Sequence, residues 1–153
     1  MANETTEQRL KTLEDKAALK ALVDTFSNLA DEKDVAAQVL LFTENATVNS
    51  FSNGQAGSSF KGRKEIGDAF AAYLSNFATV YHINGQQRVT IDGDTATGVA
   101  YCLVVLISKG DGRTIRNTSG VIYHDEYVRE GDGWLIAKRD SHFTWSSRDD
   151  VTQ

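Results

Sequence analysis

Three glycine–aspartate turns constrain this chain more than any other feature of it. Asp92-Gly93-Asp94, Gly110-Asp111-Gly112 and Gly131-Asp132-Gly133 punctuate its second half. Such residues accept the positive φ that tight hairpins demand, and the chain has no proline to turn on instead. The turns cut off four runs, roughly 79–91, 95–108, 114–129 and 134–145, each rich in Val, Ile, Thr and Tyr. Long runs joined by short turns predict an antiparallel meander.

The first half has a helical period. Leu10, Leu13, Ala17, Leu22, Phe26 and Leu29 recur at spacings of three to five with charges between them. The cluster Glu14-Asp15-Lys16 predicts a break between a short leading helix and a longer one ending near Asp31. Asp34 is a good N-cap type for a short apolar helix over 35–42. Residues 47–51 alternate like a strand, 53–59 have loop composition, and 62–74 return to helical period. The expected architecture is α+β, one domain over residues 1–153. Helices come first and then cover a strongly curved antiparallel sheet, forming a cone. A cone has a mouth, and so a place for one small molecule.

Charge and composition narrow the partners. A hydrophobic fraction of 41% and a charged fraction of 24% are those of an ordinary globular protein. The formal charge of −5, with few clustered cations, disfavours nucleic acid and anionic membranes as partners. Cys102 is the sole cysteine, so no intrachain disulfide forms. The polar, acidic first residues do not resemble a signal peptide, and no apolar run approaches the ~18 residues of a membrane span. The expected location is cytoplasmic.

Candidate site residues follow from strand parity. In Tyr81-His82-Ile83-Asn84, alternation sends His82 and Asn84 to one face and the apolar pair to the other. Imidazole titrates near neutrality, so His82 either serves a pocket with a carboxylate partner or fills a polar spot in a core. Tyr123, Asp125 and Tyr127 share a face, with His124 opposite. Arg139 is a permanent cation with several donors. It can bind an electronegative group, or pair with Asp125 or Asp140. Phe26, Phe51, Phe70 and Leu103 are candidate apolar pocket walls. No metal-ligand spacing, phosphate-binding glycine loop or nucleophile elbow is present, so any enzymatic reaction is expected to need no cofactor.

The order helix, helix, Asp31, Phe42-Thr43-Glu44-Asn45-Ala46, Gly62, helix, His82 and a closing hairpin resembles one known family. In that hairpin Tyr123-His124-Asp125-Glu126-Tyr127-Val128-Arg129 leads through a glycine turn to Trp134-Leu135-Ile136-Ala137-Lys138-Arg139. The chain is similar to the SnoaL-like branch of the nuclear transport factor 2-like superfamily, over nearly its whole length. That branch includes scytalone dehydratase, bile-acid dehydratase and hexachlorocyclohexane dehydrochlorinase. The resemblance implies a His–Asp dyad, with His82 as general base and Asp31 as its partner, and Arg139 in the pocket with Tyr123 as electrophilic support. Phe26, Phe51, Phe70, Asn84, Leu103 and Asp125 would contact substrate. Scytalone dehydratase carries tyrosine where this chain has Ala30, and a second histidine on the strand that here runs from Cys102 to Leu106. The dehydrochlorinase has a lysine in the region of Phe26. Neither familiar substrate is therefore implied. The expected function is that of a cofactor-independent lyase or isomerase for a small, largely apolar, cyclic molecule. The alternative is a non-catalytic binding or partner module, including a role like the small subunit of a ring-hydroxylating dioxygenase. Relatives pair or trimerise through the outer sheet face, so a homodimer or homotrimer is expected.

Overall fold

The structure is a computed structural model and describes residues 3–153. It opens with α1 (Thr6–Glu32), followed by a one-turn helix α2 (Val35–Gln38) and a 3₁₀ turn (Val39–Leu41). Strands β1 (Phe42–Ser52) and β2 (Gln55–Lys61) precede α3 (Gly62–Leu74). The remaining strands are β3 (Thr79–Asp92), β4 (Thr95–Gly110), β5 (Arg113–Glu130) and β6 (Gly133–Asp150). All six form a single sheet in the order β2-β1-β6-β5-β4-β3. Every pairing is antiparallel except β1 with β6, which is parallel. Helices covering a curved, open sheet make the α+β cone of the nuclear transport factor 2-like fold.

The meander follows its turns. The four strands bracket the expected runs and extend them by one to five residues at their ends. Gly93, Gly112 and Gly131 all take positive φ at the hairpin tips, a conformation that residues with a side chain adopt only at a cost.

Two expectations for the first half are corrected. The helix does not break at Glu14-Asp15-Lys16; α1 runs 27 residues without interruption. Asp15 faces inward, where both its oxygens accept from Arg129, Nη1 and Nη2 each at 2.9 Å. Trp134 Nε1 donates to the same carboxylate at 3.0 Å. These bonds clamp α1 onto the β5–β6 hairpin, and the Arg129 hydrogen bonds hold the Asp15 pKa down at about 2, against the upward push of burial. The helix starts at a capping box between Thr5 and Gln8. It ends at Lys33 in left-handed conformation (φ 57°), after which the Asp34 side chain caps α2 through Ala37 N–H.

The second correction concerns residues 53–59. Only Asn53 and Gly54 form the turn, both at positive φ as a tight hairpin requires. Residues 55–61 are strand β2, paired to β1. Its residues 55–59 are small or polar and all exposed, so the strand shows no alternation to read.

The core lies between helices and sheet, around Leu19, Val23, Phe42, Ile66, Val121, Tyr127 and Ile136. The outer sheet face leaves Tyr81, Ile83, Tyr101 and Leu103 exposed. No helix among the described residues is long and apolar enough to cross a membrane.

A glycine governs the end of the last hairpin. Gly120 lies opposite Trp145 on β6, and a Cβ there would sit 2.0 Å from the indole Nε1. Gly120→Ala is expected to displace Trp145, which is half exposed and can swing outward. The expected result is a changed tryptophan emission with a stability loss of about 1 kcal/mol or less. A Trp145→Phe background, in which the change must vanish, is the control.

Candidate active site

Parity on β3 sends Val80, His82 and Asn84 toward α1, with Tyr81 and Ile83 outward. Asp31 sits in the last turn of α1, where the helix crosses β3. Its Oδ1 lies 2.6 Å from His82 Nδ1, and its Oδ2 accepts the His82 backbone N–H at 3.1 Å. A carboxylate accepts, so Nδ1 carries the proton and Nε2 presents a lone pair. The carboxylate thus fixes both the tautomer and the backbone position of the histidine. The His82 side chain is 9% exposed, that of Asp31 25%. Burial pushes the His82 pKa below its ordinary 6.5; the Asp31 hydrogen bond and charge pull it back only in part, and Arg139 adds to the lowering. The imidazole is therefore neutral at physiological pH.

Asp125 and Arg139 are direct cross-strand neighbours on β5 and β6. Arg139 Nε and Nη2 donate to the two carboxylate oxygens at 2.8 and 2.7 Å, and the Tyr127 hydroxyl donates to Oδ2 at 2.7 Å. Both ionic side chains are essentially inaccessible. The guanidinium carbon stands 3.9 Å from the Tyr123 ring centroid and 4.3 Å from that of Phe26. Burial works against the charge of Arg139, yet Asp125 outweighs it and keeps the guanidinium protonated. Burial likewise drives the Tyr123 pKa upward, so its hydroxyl stays a donor.

Of these groups Phe26, His82, Tyr123 and Arg139 border one cavity of about 560 Å³ between sheet and helices, within the ~300–1,000 Å³ range of small-molecule sites. His82 and Arg139 contribute polar groups to its wall; Phe26, Phe70, Tyr123, Val104, Leu106 and Phe143 are among its apolar ones. Phe26 is the hub, in edge contact with Phe42, Phe70 and Tyr123 at centroid distances of 5.8 to 6.2 Å.

A SnoaL-like domain profile matches residues 11–140. The chain belongs to the SnoaL-like family. A curated relative, the uncharacterised protein Rv2910c of Mycobacterium tuberculosis, is 26% identical over 83% of this chain and 84% of its own. Among solved structures, a scytalone dehydratase-like protein of Novosphingobium aromaticivorans superposes with a TM-score of 0.77 at 16% identity, covering 89% of this chain and 88% of that one. A hexachlorocyclohexane dehydrochlorinase, LinA-type3 of Novosphingobium barchaimii, gives 0.75 at 16% identity, covering 92% and 94%. At such identities the structural likeness is one of fold.

Within this SnoaL-like cone, Phe26, Phe70, His82, Tyr123 and Arg139 line the cavity, and Asp31 adjoins it through its hydrogen bond to His82. Four expected substrate contacts do not. Leu103 lies opposite Ile83 on the outer face, because only Cys102 and Val104 beside it have inward parity. Phe51 stacks on His142 at 4.6 Å, which in turn packs edge-on against His124. Asn84 is committed to α1: it accepts from Ser27 Oγ and donates to the Val23 carbonyl and Asp24. Asp125 lies behind Arg139, its oxygens taken by that guanidinium and Tyr127.

Sequence reasoning missed Gln38 on the cavity wall. The signal was a lone amide inside the apolar run Val35 to Phe42. Ala30, Val104 and Leu106 also have side chains on this wall. No group of His, Cys, Asp and Glu among the described residues could hold a metal ion.

Proposed function

We propose that this SnoaL-like protein is a cofactor-independent lyase or isomerase acting on a small, largely apolar, cyclic molecule, with His82 as general base. The observation that carries the reading is the 2.6 Å contact of Asp31 with His82 Nδ1 beside an open cavity of about 560 Å³. It leaves Nε2 to take a proton from carbon. Asp31 stabilises the imidazolium that forms. The electron pair left on carbon either expels a leaving group on the neighbouring carbon, which departs with the proton held by the imidazolium, a lyase reaction, or shifts along the molecule while the imidazolium returns the proton to another carbon, giving an isomer. Arg139 and the Tyr123 hydroxyl stand where charge developing on an electron-withdrawing oxygen would be stabilised. The dehydratase-like and dehydrochlorinase structures sharing the fold support elimination chemistry. The apolar Ala30, Phe26 and Leu106 on the wall favour a substrate distinct from those two names.

The test is a thermal-shift screen of cyclic ketones, polyketide-like aromatics and steroids, followed by NMR of each binder in D₂O. Ligand carbon-bound protons should exchange with solvent, or eliminate, with wild-type protein. Binding with no proton transfer across the panel would leave a binding module.

The rate should depend on pH through His82. Protonation removes the Nε2 lone pair, so kcat/KM falls as pH drops through the His82 pKa. Because burial places that pKa below 6.5, the profile should be flat above about 6.5 and break only below it. Stability has the same sign. In that interval the unfolded histidine binds more protons than the folded one, so folding weakens as pH falls, by at most about 1.4 kcal/mol per unit. A break above 6.5 would contradict the assignment.

A further inference from the structure

Asn84 does not line the cavity, yet the whole of its amide is bonded to α1. Its Nδ2 donates to the Val23 carbonyl at 3.2 Å and to Asp24 Oδ1 at 3.0 Å. The buried Ser27 hydroxyl donates to its Oδ1 at 3.1 Å. The Val23 carbonyl can only accept, so the orientation of the amide is settled. Two residues back on the same face of β3, His82 meets Asp31 through its ring and its backbone N–H. Further on, a bulge between Asn84 and Gln87 turns the Gln87 side chain to the same side, where its Nε2 donates to the Leu19 carbonyl at 3.3 Å. These polar ties form an antiparallel ladder. Asp31, Ser27 and Val23 are spaced by four along α1, about 6 Å per step. His82 and Asn84 are spaced by two along β3, about 6.6 Å. The steps match, so α1 and β3 mesh in one register.

Asp31 stands in the last turn of α1, where helices fray, and the chain leaves the helix two residues later at Lys33. Its place against His82 is therefore set by what ties the helix further back. Apolar contacts are non-directional and let a helix slide along a strand. N–H···O bonds hold their length within about half an ångström. We infer that Asn84 is a positioning residue, whose amide indexes α1 along β3 and thereby brings the Asp31 carboxylate to His82 Nδ1. It decides which ring nitrogen carries the proton without touching ligand. Its bearing on catalysis rests on His82 being the general base, as proposed above; the indexing itself belongs to the protein without ligand.

The test is nitrogen-15 NMR of histidine-labelled protein without ligand, at about pH 7.5, where the buried His82 ring is neutral. The chain has three histidines, so His124→Gln and His142→Gln assign the signals. Wild type should show His82 with its proton on Nδ1 alone. In Asn84→Leu a mixture of the two tautomers is expected, with a lower Tm because Ser27 is left without its acceptor. Adding Ser27→Ala to that variant should recover Tm and leave the mixture. Gln87→Leu cuts the tie at Leu19, away from the dyad, and should lower Tm while His82 keeps its wild-type form. Ser27→Ala alone removes one bond of the three. It should shift the tautomers the same way by less, and it serves if Asn84→Leu does not fold. On any compound whose carbon-bound protons the wild type exchanges, Asn84→Leu should lower the rate roughly 10- to 100-fold, with the half-saturating concentration within about 2-fold. A pure Nδ1–H ring in Asn84→Leu, an equal mixture in Gln87→Leu, or a tautomer that returns with Tm in the double variant would each overturn the inference. A tautomer shift confined to the Asn84 and Ser27 variants, with no proton transfer to any compound, would remove the general-base role from His82 and leave Asn84 as the residue that sets its ring.

Discussion

His82→Ala is expected to lower turnover by about 10²–10⁴-fold, the usual worth of a positioned general base, with the fold intact. The side chain makes one hydrogen bond, to Asp31, and its backbone N–H bond to the same carboxylate survives the substitution. Circular dichroism and Tm should therefore stay near wild type while proton transfer to and from carbon collapses. Added imidazole should restore part of the rate, since the vacated space adjoins the cavity and Asp31 remains to orient a free base. Asp31→Asn tests the partner separately. An asparagine can offer its NH₂ to Nδ1, which favours the tautomer with the proton on Nε2, the wrong nitrogen for a base. A comparable loss of kcat with little change in KM is expected there. Near-wild-type proton transfer in either variant would remove the dyad from the mechanism and leave the cavity as a binding site.

The parts of this molecule that were readable in the sequence are those governed by local rules. Glycine–aspartate turns set the four long strands, because positive φ is a property of the turn residues themselves. Parity placed Tyr123, Asp125 and Tyr127 inward and His124 outward, since alternation is exact along an unbroken strand. Asp34 capped α2, and α3 spans 62–74 as its period implies.

What escaped depends on partners far away in sequence. Asp15 read as a helix break because its partners Arg129 and Trp134 are more than a hundred positions distant. Nothing near Asp15 announces a buried, fully bonded carboxylate. Strand β2 escaped because an exposed edge of small polar residues has no alternation. Leu103 and Phe51 were assigned to the wall by residue type alone, and parity or stacking on His142 took them elsewhere. Asn84 had the right face, yet α1 passes directly over it. The dyad itself, 51 positions apart, was legible only through the family resemblance. Gln38 was invisible to that route, for an amide in a helix of one turn carries no motif.

The second large effect concerns stability. Asp125→Ala is expected to destabilise the protein by about 3–5 kcal/mol, the cost of leaving one member of a buried ion pair uncompensated. Arg139 would then stand charged beneath the rings of Phe26 and Tyr123 with no counter-ion, and the Tyr127 hydroxyl would lose its acceptor as well. Against a typical total of about 5–15 kcal/mol, this is a large fraction, and Tm should fall by roughly 10 °C. The pair itself is a different matter. Its desolvation offsets much of its attraction, so the double replacement Asp125→Leu with Arg139→Met should recover most of the loss. That contrast separates the two roles of Arg139. If the double variant is stable but no longer prefers ligands with an acceptor oxygen, the arginine is kept for the cavity and Asp125 for holding it there. If Asp125→Ala retains wild-type stability, the guanidinium must find another partner or reach water, and its fixed place over Phe26 would be wrong. Thermal denaturation of wild type, Asp125→Leu, Arg139→Met and the double variant closes the cycle. A coupling energy near zero would sink the argument.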